Sequence, residues 1–252
     1  MLWRERGGHG EHAYLLLHGL GATGAVWRNV CRELDSRGDG EWLVLDLPGH
    51  GGSSALPRYS VGALASAVAQ SLDPDRPYQV IGHSLGAYVG LALASGWFGV
   101  RIASMLGIGP KIEWSEADVA SMAELARKPA RIFADEAEAR SRYRKVSGLD
   151  VRVAPDAALI ARGVVPTEGG FRLATDPRAA LVAGAPFATL AASAQCPVLL
   201  ARGASDPMVT LDQLRTHCAA VAIEIPGTGH NAHVESPGSI VALSERLASE
   251  SR

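Results

Sequence analysis

The sequence predicts an α/β fold built on a mostly parallel, doubly wound sheet with an inserted helical block. Two observations carry the sheet: six apolar runs of strand length, and segments of helical spacing that separate them in strict succession. A third carries the insertion. Between residues 109 and 188 no run matches the other strands, and helical patterns follow one another.

The strand runs are 13–17, 42–47, 79–81, 102–108, 197–201 and 221–225, rich in Leu, Val and Ile. The helical segments are 26–34, 61–72, 85–94, 211–218 and 240–247. Strand and helix in alternation force parallel pairing, because each crossover helix returns the chain to the edge it left. Inside the insertion, Ser115 with Asp118 and Asp135 with Glu138 have the spacing of helix-start capping pairs. Residues 163–175, with Gly169-Gly170 at their centre, read as a hairpin or an irregular loop. Residues 136–145 mix Arg140, Arg142, Arg144 and Lys145 with acids, the pattern of a salt-bridged helix face.

A chain of 252 residues with 47% apolar side chains supplies a large core. With 24 basic and 26 acidic residues it has no surplus of cations for a phosphate backbone, which argues against a nucleic-acid partner and for a small-molecule substrate. The first dozen residues are charged and glycine-rich, and the longest apolar stretch, 89–100, is broken by serine and glycine, so neither a signal peptide nor a membrane span is expected. Cys31, Cys196 and Cys218 fit no disulfide or metal spacing and read as reduced thiols of a cytoplasmic protein.

The chemistry gathers at strand ends. Gly82-His83-Ser84-Leu85-Gly86 lies between a strand and a helix, where G-x-S-x-G makes a sharp turn that lifts the serine hydroxyl above the sheet edge. With 20 serines and 28 glycines in the chain, chance supplies roughly 0.25 such patterns, so the motif counts through its setting. The turn His18-Gly19-Leu20-Gly21 after the first parallel strand can aim one backbone N–H at the serine. The N–H of Leu85 offers a second, and two such donors hold an oxyanion.

Asp206 and His230 each stand just past a parallel strand, at the carboxyl edge where open α/β sheets bind ligands. A serine hydroxyl becomes a nucleophile when a neutral imidazole takes its proton, and the imidazole needs a carboxylate to orient it. Ser84, Asp206 and His230 supply all three. Of the two nearby histidines, His230 follows Gly229 and stands nearest the strand end, whereas His233 is expected to hydrogen-bond loop backbone.

With these segments, and with Asp46-Leu47-Pro48-Gly49-His50-Gly51 plus Ser53 and Gly229-His230 plus Glu235 and Pro237, the chain resembles the α/β-hydrolase family, specifically its cap-bearing, esterase-like serine hydrolases. The resemblance implies Ser84 as nucleophile, His230 as base, Asp206 as orienting acid and the Leu20 and Leu85 amides as oxyanion donors. It implies a core of 1–110 and 189–252 under a helical cap of 111–188. The few residues before the first parallel strand leave room for one antiparallel strand, near 2–6. His50 and Ser53 are expected to hold loop geometry. Trp27, Lys111 and Trp114 are candidates for lining the substrate pocket.

The reading is a serine hydrolase that cleaves a carboxylic ester or lactone of a small, mostly apolar acid, with no metal and no organic cofactor. A carbon–carbon hydrolase, a cofactor-free lyase or oxygenase on the same triad, and a non-catalytic ligand receptor are the alternatives.

Overall fold

The computed structural model describes residues 1–38, 40–149, 157–218 and 220–249. In chain order the strands are β1 Arg4–His9, β2 His12–Leu17, β3 Gly40–Leu45, β4 Tyr78–His83, β5 Ile102–Ile108, β6 Val164–Thr167, β7 Gly170–Leu173, β8 Val198–Gly203 and β9 Val221–Ile225. The helices are α1 Arg28–Arg37, α2 Val61–Ala69, α3 Leu85–Ala94, α4 Glu116–Arg127, α5 Glu136–Val146, α6 Ala157–Ala161, α7 Phe187–Ala192, α8 Leu211–His217, α9 Ala232–Glu235 and α10 Pro237–Ser249.

Seven strands form one sheet in the order β1-β3-β2-β4-β5-β8-β9. Only the pairing of β1 with β3 is antiparallel; the other five are parallel, as the alternation predicts. The expected N-terminal strand is present, shifted to start at Arg4.

Why β2 reads as an unbroken apolar run is visible in its two faces. Leu15 and Leu17 join the core under α2, α3 and α8, while Tyr14 and Leu16 join the core under α1 and α10. A strand covered on both faces has no solvent side to mark with polar residues. The chain leaves β2 to form β3 on one flank and later β4 on the other, so the turns after β2 and β4 diverge and open a crevice at their carboxyl ends.

Local chemistry explains the boundaries that differ from the sequence reading. The helix expected over 26–34 begins as a single 3-10 turn, Gly24–Trp27, and continues as α1 to Arg37. Gly38, in the left-handed region at φ 66°, ends it with an N–H to the Leu34 carbonyl. The strand expected over 42–47 ends at Leu45, because Asp46 turns its carboxylate to cap surrounding backbone: it accepts from Gly24 N–H at 2.7 Å and Gly52 N–H at 2.9 Å.

The segment between β5 and β8 carries α4 to α7, the antiparallel hairpin β6–β7 and a 3-10 turn at Pro177–Val182. The hairpin answers the open question over 163–175, with Gly169 at φ 83° and Gly170 at φ 144° forming its turn. Helix α4 starts at a full capping box of Ser115 and Asp118, and α5 at Asp135, whose carboxylate accepts the Ala137 N–H. Arg140 pairs with Glu136 at 2.7 Å along α5, the expected charged face.

Several ties fasten this segment to the rest of the chain, among them the following. His50 bridges Thr175, Arg162 pairs with the fully buried Asp46 while stacking over the Trp3 ring, and Glu113 accepts from Gln213 at 2.6 Å and His217 at 2.9 Å. Cys31 and Cys218 are buried, Cys196 half-buried, and all three are free thiols. No helix among the described residues is long and apolar enough to cross a membrane.

Candidate active site

Ser84 joins the last residue of β4 to the first of α3 at φ 49° and ψ −112°, and it is the one non-glycine residue at positive φ among the described residues. Such backbone costs about 1–3 kcal/mol and persists where surrounding packing imposes it. The packing here is close: a Cβ on Gly86 would collide with the Leu17 carbonyl, so only glycine lets α3 lie this near β2. The Ser84 N–H is held by the Ile108 carbonyl at 2.8 Å.

His230 follows β9, and its Nδ1 lies 3.0 Å from Asp206 Oδ2 and 3.1 Å from Oδ1. Since a carboxylate can only accept, Nδ1 carries a proton, which in the neutral tautomer leaves the lone pair on Nε2. Asp206 is fixed in turn, with Oδ1 accepting the Met208 N–H at 2.8 Å. Its backbone carbonyl accepts from Arg202 at 2.9 Å. Arg202 is buried, also donates to the Val209 carbonyl at 2.7 Å and pairs with Glu224, and so clamps the loop that carries the acid.

Ser84 and His230 line one cavity of about 610 Å³ whose walls come from the sheet edge and from the segment between β5 and β8. Leu20 and Leu85 are on its wall, together with the apolar side chains of Tyr88, Trp114, Met122, Val146, Val182 and Met208. Leu85 opens α3, so its N–H has no partner within the helix. In the turn after β2, the Gly21 N–H is taken by His50 Nε2 at 3.2 Å and the Ala22 N–H by the Gly19 carbonyl at 3.2 Å.

That turn is held by two buried histidines whose partners fix their tautomers. His18 Nδ1 donates to the Gly19 carbonyl at 2.8 Å, and its Nε2 accepts the Leu47 N–H at 2.9 Å. His50 Nδ1 donates to the Pro48 carbonyl at 3.1 Å, and Ser53 Oγ donates to the Asp46 carbonyl at 2.5 Å. Both residues hold loop geometry, as the sequence reading expects.

Lys111 and Trp114 reach the cavity wall. Lys111 Nζ pairs with Asp118 at 2.8 Å and sits 4.6 Å from the centre of the Trp114 ring, while its carbonyl accepts from Trp114 Nε1 at 2.9 Å and from Tyr88. Trp27 does not line the cavity: it is fully buried, with its ring 4.6 Å from His233. The 3-10 turn points it into the core under α1, which the continuous helix expected at 26–34 does not foresee. His233 departs from expectation as well. It is fully buried and neither ring nitrogen has a hydrogen-bond partner, so it packs between aromatic rings and bonds no loop backbone.

Residues 14–243 match the model of the alpha/beta hydrolase family. The chain belongs to this family. Among its relatives is the pimeloyl-[acyl-carrier protein] methyl ester esterase of Chromobacterium violaceum, 28% identical over 94% of each chain. Among solved structures, the alpha/beta hydrolase resembles the thioesterase domain from the curacin biosynthetic pathway at 25% identity, with a TM-score of 0.77 over 97% of this chain and 94% of that one. It shares its fold with E-2-(acetamidomethylene)succinate hydrolase, at 20% identity and a TM-score of 0.74 over 97% of this chain and 94% of that one.

The buried histidines make a stability prediction. Burial pushes His50 and His233 down to about 3 and holds His18 and His83 below the usual imidazole range. Below about pH 6.5 the unfolded chain takes up protons that the folded chain refuses, so stability is fully present above that pH and is lost as pH falls from there toward 3. Each such histidine contributes a slope of about 1.4 kcal/mol per pH unit inside the window. The urea midpoint should therefore fall steeply between pH 7 and pH 5; an unchanged midpoint would show that these side chains are protonated in the native state.

Proposed function

We propose that this alpha/beta hydrolase cleaves a carboxylic ester or lactone of a small, mostly apolar acid through an acyl-enzyme on Ser84. The observation that carries the proposal is the His230–Asp206 contact at 3.0 Å beside a serine held at a positive-φ elbow, with both Ser84 and His230 on one mostly apolar cavity. The esterase relative and the thioesterase neighbour, whose names describe acyl transfer to water, support the same reaction class.

In the first half-reaction the Ser84 hydroxyl adds to the substrate carbonyl carbon while its proton passes to His230 Nε2. Asp206 stabilises the resulting imidazolium through Nδ1. The carbonyl oxygen becomes an oxyanion, for which the Leu20 and Leu85 N–H groups are the donors. Collapse breaks the bond to the alcohol oxygen, His230 returns its proton to that oxygen, and the alcohol leaves. Water then repeats the sequence on the acyl-enzyme, with His230 taking a proton from the water and giving it to Ser84 as the acid departs.

The segment 111–188 acts in this reading as a cap that selects the acyl group. Of three apolar side chains in this segment, Met122 lines the cavity, Leu125 is 44% exposed and off its wall, and Phe133 is buried in a bridge with Phe171. Met122→Ala should shift the ratio of kcat/KM between octanoyl and acetyl p-nitrophenyl esters by about tenfold, the worth of a methylene or two of contact. Leu125→Ala should leave the ratio unchanged. Equal ratios in both variants would remove the cap's selective role.

The test of the main reading is labelling with a fluorophosphonate, followed by mapping of the adduct. Rapid modification confined to Ser84 supports it, and an inert Ser84 favours a receptor that has kept the shell of a hydrolase.

A further inference from the structure

His83 immediately precedes the nucleophile in the G-x-S-x-G turn and ends β4. Residues alternate across a strand, so its side chain leaves on the face opposite Gly82, the face where Ile81 packs under α1 and α10. There its Nε2 lies 3.0 Å from the backbone carbonyl oxygen of His230. A carbonyl only accepts, so the proton is on Nε2 and the ring is in one defined neutral tautomer. Burial, reinforced by His233 and His230 nearby, keeps the ring uncharged.

The same ring meets the other two parts of the site. A Cβ on Gly19, the residue before Leu20, would lie 2.9 Å from His83 Nδ1 and 3.2 Å from Ser84 Cβ, so the oxyanion turn rests against this imidazole and only glycine permits the approach. The His83 ring also packs, tilted, against those of His233 and His230, with ring centres 4.2 Å and 4.7 Å away, which restricts its rotation. One side chain thus touches the nucleophile's strand, the turn that carries one oxyanion donor and the backbone of the base.

We propose that His83 is a positioning residue that sets His230 against Ser84 by donating its Nε2–H to the His230 carbonyl. The base is then held at both ends, at its backbone by His83 and at Nδ1 by Asp206. The inference rests on the acyl-enzyme reading above and extends it to a residue of the cavity wall that acts through the base. Proton transfer between Ser84 and His230 is sensitive to misplacement of about an ångström, and the clamp acts on that distance.

Gln and Met test it as a pair. They are nearly isosteric, and a glutamine amide nitrogen reaches close to where Nε2 of a histidine lies, whereas methionine has no donor. His83→Met should lower kcat for p-nitrophenyl acetate by about 30-fold or more with KM within about twofold, since an interaction felt in the transition state is removed. The rate of fluorophosphonate labelling of Ser84 should fall in parallel. His83→Gln should restore both to within about fivefold of wild type.

Thermal unfolding of both variants separates positioning from stability: equal melting temperatures with unequal kcat support the clamp. Equal losses in the Gln and Met variants, a loss carried by KM, or a kcat within twofold of wild type in the Met variant would overturn it. The failure of the underlying reading looks different: wild-type protein that hydrolyses no ester and whose Ser84 resists the fluorophosphonate ends the acyl-enzyme mechanism before any His83 variant is made.

Discussion

Ser84→Ala should lower kcat for ester hydrolysis by about 10⁴-fold to 10⁶-fold and abolish the fluorophosphonate adduct. Alanine removes only the hydroxyl. The backbone at φ 49° remains equally unfavourable for a Cβ-bearing residue, and the Gly86 approach to β2 and the Ser84 N–H bond to Ile108 are untouched, so the fold should be retained. On the proposed mechanism, what survives in the variant is binding in the 610 Å³ cavity and polarisation by the Leu20 and Leu85 amides, which together give a small residual rate. A circular dichroism spectrum and melting temperature like those of wild type make the kinetic comparison valid. Wild-type turnover in folded alanine variant, or an adduct mapped to another residue, would remove Ser84 as nucleophile.

Much of the fold was legible because both faces of the sheet are covered. β5 coincides with its apolar run because its last five residues are buried and leave few polar positions to blur its limits, and β9 coincides with its run although Val221 and Glu224 are exposed at the edge of the sheet. The limits that moved did so for local reasons. β3 stops early because Asp46 is spent on backbone N–H groups and on Arg162, a partner 116 residues away that no window of sequence can reveal. β8 runs on through Arg202 because that guanidinium is buried against the carbonyls of its own loop, whereas an arginine in a sequence reads as solvent-facing.

The site was legible where chemistry is tied to a strand end and illegible where it is tied to packing. Ser84, Asp206 and His230 each follow a strand, and parallel topology brings those ends to one edge. In the sequence His83 is one variable position of the G-x-S-x-G turn; its bond to the His230 carbonyl spans 147 residues and appears only when β4 and the loop after β9 are set side by side. Trp27 failed as a pocket residue for the same reason. Its distance from Gly21 along the chain fits a pocket wall, but the 3-10 turn rotates it toward His233 instead.

The second large effect separates two histidines three residues apart. His230→Ala should reduce kcat by about as much as the loss of Ser84, because on the proposed mechanism nucleophile and base act as a unit and either absence stops the same proton transfer. His233→Leu should instead keep kcat within a few-fold of wild type, since its ring contacts Trp27 and His83 and neither of its nitrogens reaches a hydrogen-bond partner. Leucine has nearly the volume of an imidazole and no polar atoms, so it replaces two unsatisfied buried nitrogens with apolar contact. Removing such groups is neutral or stabilising by about 1–3 kcal/mol. A second readout follows from burial, which pushes His233 down to about 3. The leucine variant no longer has that proton to refuse, so its stability should fall less steeply from pH 6.5 toward 3, by one proton's worth of slope. An inactive His233→Leu variant that melts like wild type, beside an active His230→Ala variant, would exchange the two assignments and make His233 the base.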